Sequence, residues 1–199
     1  MMEIFDKGGP LLYVIAFCSV LALGIFLERL WVFSRLRREF QTLAAEVGSL
    51  VENGKSAEAE AVCLRTRNPL APVFLAALKS AGKPRDQIKQ EAEEAGSRQT
   101  VFVNRYLGLM STIATLAPLL GLLGTVLGMI QAFNVIAVQG VGTPATLGGG
   151  ISQALLTTAA GLSVAIPVIL LHRYLSSRAS LIVLEMEEHS LHLVNLLSR

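Results

Sequence analysis

The chain has 199 residues, 52% of them hydrophobic and 16% charged, and a mean hydropathy of +0.55. A soluble domain carries roughly 25% charged residues, so the composition points to a membrane protein, and a net charge of +2 argues against nucleic acid as a partner. Cys18 lies in an apolar run and Cys63 in a charged one, which gives neither a disulfide framework nor a metal site. His172, His189 and His192 gather near the C-terminus and read as solvated tail histidines.

Residues 1–9 contain Glu3, Asp6 and Lys7 and form a short polar N-terminus. The first apolar stretch, residues 10–27, continues past Glu28 and Arg29 to Phe33 and reaches the roughly 20 residues that a span needs. A secretory leader would place basic residues before the apolar run. Here Arg29, Arg35, Arg37 and Arg38 follow it, so residues 10–33 are expected to be a retained transmembrane helix.

Residues 34–105 are expected to be helical throughout, because Ala, Glu, Leu, Lys, Gln and Arg dominate them. Breaks are predicted at Asn53-Gly54, Asn68-Pro69 and Gly82-Lys83-Pro84. Beyond Pro84 no breaker appears before Pro118, so residues 87–105 are expected to run straight into the second span. These charged helices read as a solvated bundle.

From Tyr106 to His172 there is no Asp, Glu, Lys or Arg, a run of 67 positions. A charge at the centre of a membrane helix costs about 2.5–3.5 kcal/mol even on the lenient insertion scale. The run divides into a second span at 106–137 and a third at 150–172. The connection at 138–149 contains Gly140, Gly142, Pro144 and Gly148-Gly149-Gly150 and is read as turn-rich. Residues 107–137 would make a helix of about 46 Å, longer than the hydrocarbon core of about 30 Å. Residues 173–199 are expected to continue the third span, with apolar positions at Leu181, Leu184, Leu191, Val194 and Leu197. Arg29, Arg35, Arg37, Arg38, Arg98, Arg105, Arg173 and Arg178 flank the spans on one side. The positive-inside rule then puts the N-terminus outside, the 138–149 connection beside it, and 34–105 with the C-terminal helix in the cytoplasm.

Polar residues inside the run are neutral and periodic. Ser111, Thr115, Pro118, Gly121, Thr125, Gly128 and Ala132 recur at steps of 4, 3, 3, 4, 3 and 4 and share a helix face. Ala154, Thr158, Gly161 and Ala165 do the same on the third span, with Gln153 and Thr157 on the adjacent edge. Two readings stay open. Helix packing of the small-residue kind, with Gly124 and Gly128 as its emblem, explains Gly and Ala. A polar lumen also explains the hydroxyls and the amide. Pro118 and Pro167 each remove a backbone hydrogen bond inside a span. Residues 121–128, GLLGTVLG, lack the Lys and the strand-to-helix context of a phosphate loop. No nucleophile–base–orienter set is visible, so enzyme chemistry and a cofactor are not expected. Proton transport needs a titratable group in the path, and neither the apolar stretch at residues 10–27 nor the two spans of the charge-free run hold a carboxylate.

Residues 114–130, ATLAPLLGLLGTVLGMI, followed by Phe133, resemble the second-span signature of the ExbB/TolQ/MotA proton-channel family. Residues 150–167, GISQALLTTAAGLSVAIP, resemble its third-span signature. The three-span form is similar to ExbB or TolQ more than to the four-span flagellar type. The resemblance implies an all-α integral membrane protein with three transmembrane helices extended into a cytoplasmic helical bundle, assembled as a homopentamer in the inner membrane. It implies two ExbD/TolR-type single-span partners whose membrane Asp carries the proton, and a TonB-type protein beyond them. It places Thr125 and Thr158 on the pore and Gln153 where many relatives have Glu. Thr115, Thr157 and Gln153 are expected along the same path, and Pro118, Gly121, Gly124, Gly128, Gly161 and Pro167 in helix packing. The expected function is conversion of proton motive force into mechanical work, ExbB-like first. Alternatives are a TolQ-like, gliding or secretion motor, a passive scaffold, or a self-sufficient channel.

Overall fold

The computed structural model describes residues 2–140 and 144–198, with side chains at 9–138, 140 and 148–198. Among the described residues there are six helices and no strand: α1 Met2–Glu52, α2 Ser56–Arg65, α3 Leu70–Lys79, α4 Arg85–Val103, α5 Leu107–Gln139 and α6 Pro144–Leu197. Three of them, α1, α5 and α6, are long and apolar enough to cross a membrane. The chain divides into an apolar unit, residues up to Leu27 with Tyr106–Tyr174, and a charged unit, Glu28–Arg105 with Leu175–Arg199.

In the apolar unit, α1 is interrupted once, at Gly9, whose backbone is left-handed (φ 67, ψ −172) just ahead of Pro10. A side chain at that φ would be strained, and Pro10 cannot donate to the preceding turn. Leu12, Ile15, Ala22 and Ile25 face inward from α1, Met110, Ile113, Ala114 and Ala117 from α5, and Ala154, Ala165 and Val168 from α6. Phe17, Leu122, Ile166 and Leu170 are exposed, as apolar side chains facing lipid would be.

The charged unit is a helical bundle. The buried positions of α1 within it, Arg29, Phe33, Leu36, Phe40, Leu43 and Val47, advance by 4, 3, 4, 3 and 4, a coiled-coil spacing. They pack into a core with Leu70, Val73, Phe74, Ala77 and Leu78 of α3, Ile88 and Ala92 of α4, and Ile182, Met186, Leu193 and Val194 of α6. The three predicted breaks are present, and Asn68 explains one of them. Its Oδ1 accepts the Leu70 amide at 3.1 Å and the Ala71 amide at 3.0 Å, supplying acceptors for the first turn of α3.

Two expectations need correction. Residues 87–105 do not run into the second span: α4 stops at Val103, residues 104–106 form a turn, and Tyr106 is left-handed at φ 66. Propensity favours helix there, but the Phe102 carbonyl is engaged by a side chain from α1, as described below. Gly148-Gly149-Gly150 are not turn residues but lie in the first turns of α6. Each glycine costs a helix about 1 kcal/mol relative to Ala; at Gly150 the reason is close approach, since a Cβ there would stand 2.7 Å from the Gly128 carbonyl oxygen. The turn expected at residues 141–143 falls outside the described residues. The expected continuation of the third span is present: α6 runs to Leu197 as one helix, and beyond the apolar unit it buries Leu175, Ala179, Ile182, Met186 and Val194 while Leu181, Leu184 and Leu191 are exposed.

Candidate functional site

The expected site residues gather where α5 crosses α6, and the crossing is made of small residues on small residues. A Cβ added at Gly121 would meet the Thr157 carbonyl oxygen and Thr158 Cα at 3.1 Å, and one at Gly161 would stand 2.5 Å from the Ala117 carbonyl oxygen. At Gly128 it would reach the Gly150 carbonyl oxygen at 2.6 Å and Ala154 Cβ at 2.8 Å. At Gly124 it would overlap the Thr157 hydroxyl. Backbones this close leave no room for a larger residue on either helix, which is the mode of association that lipid favours.

The two neighbouring threonines of α6 divide their work. Thr157 is 1% exposed, and its hydroxyl lies 3.0 Å from both the Gln153 and Ala154 carbonyl oxygens, so its proton stays on its own helix. Thr158 is half-buried, and its hydroxyl reaches across to the Gly121 carbonyl at 3.0 Å, with Ala154 O at 3.2 Å as the alternative acceptor. A hydroxyl has one proton, so Thr158 either bonds α5 or back-bonds, while its lone pairs remain able to accept from water.

The hydroxyls of α5 lie away from this crossing. Thr115 is exposed and donates to the Ser111 carbonyl at 3.2 Å. Thr125 is half-buried and donates to the Leu122 carbonyl at 2.6 Å. Pro118 is half-buried within α5 and Pro167 is exposed within α6. The stripe read from the sequence thus straddles two surfaces: Gly121, Gly128 and Ala132 are buried against α6, whereas Ser111, Thr115 and Thr125 stand at its open margin.

Gln153 is half-buried, and its amide packs against the α1 break: a Cβ on Gly9 would run into Nε2. Sequence reading did not foresee this contact, because the left-handed turn at Gly9 leaves no local signal beyond a Gly-Pro pair. Arg29 was also missed. It is 2% exposed, yet a basic residue just after a span reads as a topology marker. Its heptad phase with Phe33 and Leu36 was the available signal. Among the described residues no group of His, Cys, Asp and Glu could hold a metal.

What this crossing can offer is neutral hydrogen bonding at a dry, close-packed helix pair and open hydroxyls beside it. A family model described as the MotA/TolQ/ExbB proton channel family matches residues 65–188, which include the whole of α5 and, on α6, Thr157 and Thr158. The chain is 35% identical over 185 residues to the ExbB-like 1 protein of Synechocystis sp., covering 90% of this chain and 72% of the relative. It is 30% identical over 179 residues to the ExbB homolog of Methanothermobacter thermautotrophicus, covering 89% of this chain and 63% of that protein. With the biopolymer transport protein exbB1 of Vibrio cholerae it shares 45% over 94 residues, 47% of this chain and 41% of the relative. A multi-pass membrane protein with three apolar helices, this chain belongs to the MotA/TolQ/ExbB proton channel family, a family of channels rather than enzymes.

Proposed function

We propose that this chain is the channel-forming subunit of an ion-driven motor in the bacterial inner membrane. A homopentamer of it encloses the single spans of two ExbD/TolR-type partners and energises TonB-dependent transport across the outer membrane. One observation carries the reading. A member of a proton-channel family has 67 consecutive positions without a carboxylate through its second and third spans, so the titratable group of the path comes from another chain. Thr125, Thr158 and Thr115 offer hydroxyls along that path, and Gln153 offers an amide in place of an acid. Thr157 supports them by packing. The N-terminus lies in the periplasm, and the charged unit lies in the cytoplasm with the Arg residues that flank the spans.

A proton crossing the membrane potential releases about 2.3 kcal/mol per 100 mV. A five-fold ring around two helices is mismatched in symmetry, so each protonation changes which interface is favoured and turns one component against the other. A TolQ-like role in envelope maintenance, or a gliding or secretion motor, uses the same machine with a different partner.

The test is proton uptake by lipid vesicles. The chain alone is expected to leave them tight. Co-expression with an ExbD/TolR-type single-span protein that carries a membrane Asp is expected to allow uptake that Asp→Asn in that partner abolishes. Conduction by the chain alone would refute the partner-supplied acid, and vesicles that stay tight with the partner would favour a passive scaffold.

A further inference from the structure

The α4–α5 junction breaks where the sequence favours helix, and it breaks on an expensive residue. Tyr106 is the only non-glycine with positive φ among the described residues, at 66°. The left-handed region disfavours any residue with a Cβ. No Gly or Pro lies between residues 97 and 107 to demand a break.

Arg29 of α1 supplies what the break needs. The last turn of α4 has no basic residue to face its negative end. The Arg29 guanidinium, 2% exposed, donates from Nη1 to the Phe102 carbonyl at 3.5 Å. Its Nε and Nη2 are held by the Glu28 carboxylate at 2.7 and 3.0 Å. The Phe102 carbonyl also accepts the Arg105 amide at 3.3 Å, a tight 3₁₀-type closure of α4. In an unbroken helix that carbonyl is the acceptor of the Tyr106 amide.

On the other side, α5 starts without a side-chain cap, and its first backbone bond runs from Met110 N to Tyr106 O at 3.0 Å. The amides of Leu107, Gly108 and Leu109 therefore have no acceptor within their own helix. A continuous helix would give them the carbonyls of Val103, Asn104 and Arg105.

We propose that residues 104–106 are a two-state helix junction latched by Arg29. With the guanidinium on the Phe102 carbonyl the backbone breaks at Tyr106. With it withdrawn, Tyr106 enters the right-handed region and α4 joins α5. This inference stands on backbone geometry and goes beyond the transport reading, so it survives or fails independently of it.

Hydrogen–deuterium exchange on the full chain in lipid nanodiscs tests it, read at the amides of residues 107–109 against control peptides from α2 and α3. In the wild type these amides exchange fast. Arg29→Gln slows them by roughly tenfold, the population change that relief of one left-handed residue allows. Tyr106→Val, whose branched side chain shuns the left-handed region, slows them with Arg29 intact. Tyr106→Gly in the Arg29→Gln background restores fast exchange. Unchanged exchange in Tyr106→Val overturns the two-state junction, and slowing there but not in a folded Arg29→Gln overturns the latch. Should Arg29→Gln lose protection in the control peptides, Tyr106→Val and Tyr106→Gly decide between the outcomes.

Discussion

Gly124→Ala sets two opposed effects against each other at one position. Helix propensity alone favours Ala over Gly by about 1 kcal/mol. Steric fit opposes it. A Cβ on Gly124 would overlap the Thr157 hydroxyl and stand 2.6 Å from Thr157 Cβ and 3.2 Å from its Cγ2. Thr157 has nowhere to move, being 1% exposed with its hydroxyl tied to two carbonyls of its own helix. Overpacking of this kind costs about 1–3 kcal/mol, so the net expectation is destabilisation by up to about 2 kcal/mol. The partner variant Thr157→Gly removes every atom that the new Cβ meets. The double variant should therefore be more stable than the sum of the singles, by a coupling on the order of 1–2 kcal/mol. Reversible unfolding in mixed micelles, followed by circular dichroism, gives the cycle. If Gly124→Ala is as stable as wild type or more so, α5 and α6 do not cross as closely as described here, and the packing argument fails.

Three further outcomes follow from the same geometry and from the charged unit. Thr158→Val is expected to lower proton-driven activity more than Thr157→Val, because only the Thr158 hydroxyl reaches beyond its own helix; equal, wild-type-like activity at equal membrane levels would contradict this. Gln153→Glu keeps the shape that packs on Gly9, so the complex should assemble, and activity in vesicles between pH 6 and 8 (roughly the range a near-neutral acid spans) should shift along the pH axis rather than vanish. Loss of assembly would make Gln153 a packing residue only. Burial, and then the nearby Glu60 and Glu46 carboxylates, push the Cys63 thiol from 9.0 up to about 11. The folded state therefore holds its proton while the unfolded state releases it, so Cys63 contributes stability below pH 9 that is lost as pH rises toward 11, on the order of 2–3 kcal/mol. Cys63→Ala should flatten that slope in a pH series of unfolding curves; an unchanged slope would refute the assignment.

Much of the fold was legible because bilayers and helices write strong signals. The absence of charge from Tyr106 to His172 marked the second and third spans, and the Asn-Gly, Asn-Pro and Gly-Lys-Pro clusters marked the breaks between α1, α2, α3 and α4. What stayed hidden depends on contacts between segments distant in sequence. The stop at Val103 involves a guanidinium 73 positions from the Phe102 carbonyl it meets. The helical state of Gly148-Gly149-Gly150 runs against propensity, and the Gly9–Gln153 contact joins opposite ends of the apolar sequence. Periodicity correctly put Gly121, Gly161 and Ala154 on shared faces. It could not say that Thr157 rather than Thr158 is the deeper of the pair, since adjacent residues differ by 100° on a helix and the choice rests on where the neighbour lies.

The seam between α5 and α6 also carries a genetic consequence. Any single-base change in a glycine codon that alters the residue introduces a side chain with a Cβ, and at Gly121, Gly124, Gly128, Gly150 and Gly161 that atom meets backbone or Thr157 at once. Gly24, Gly108 and Gly148 have open space around the same point. Two sets of codons, alike in composition, therefore face opposite selection. Drift is permitted at one and purged at the other, so a saturation library of this gene should lose variants in a striped pattern that repeats with the turn of the helix.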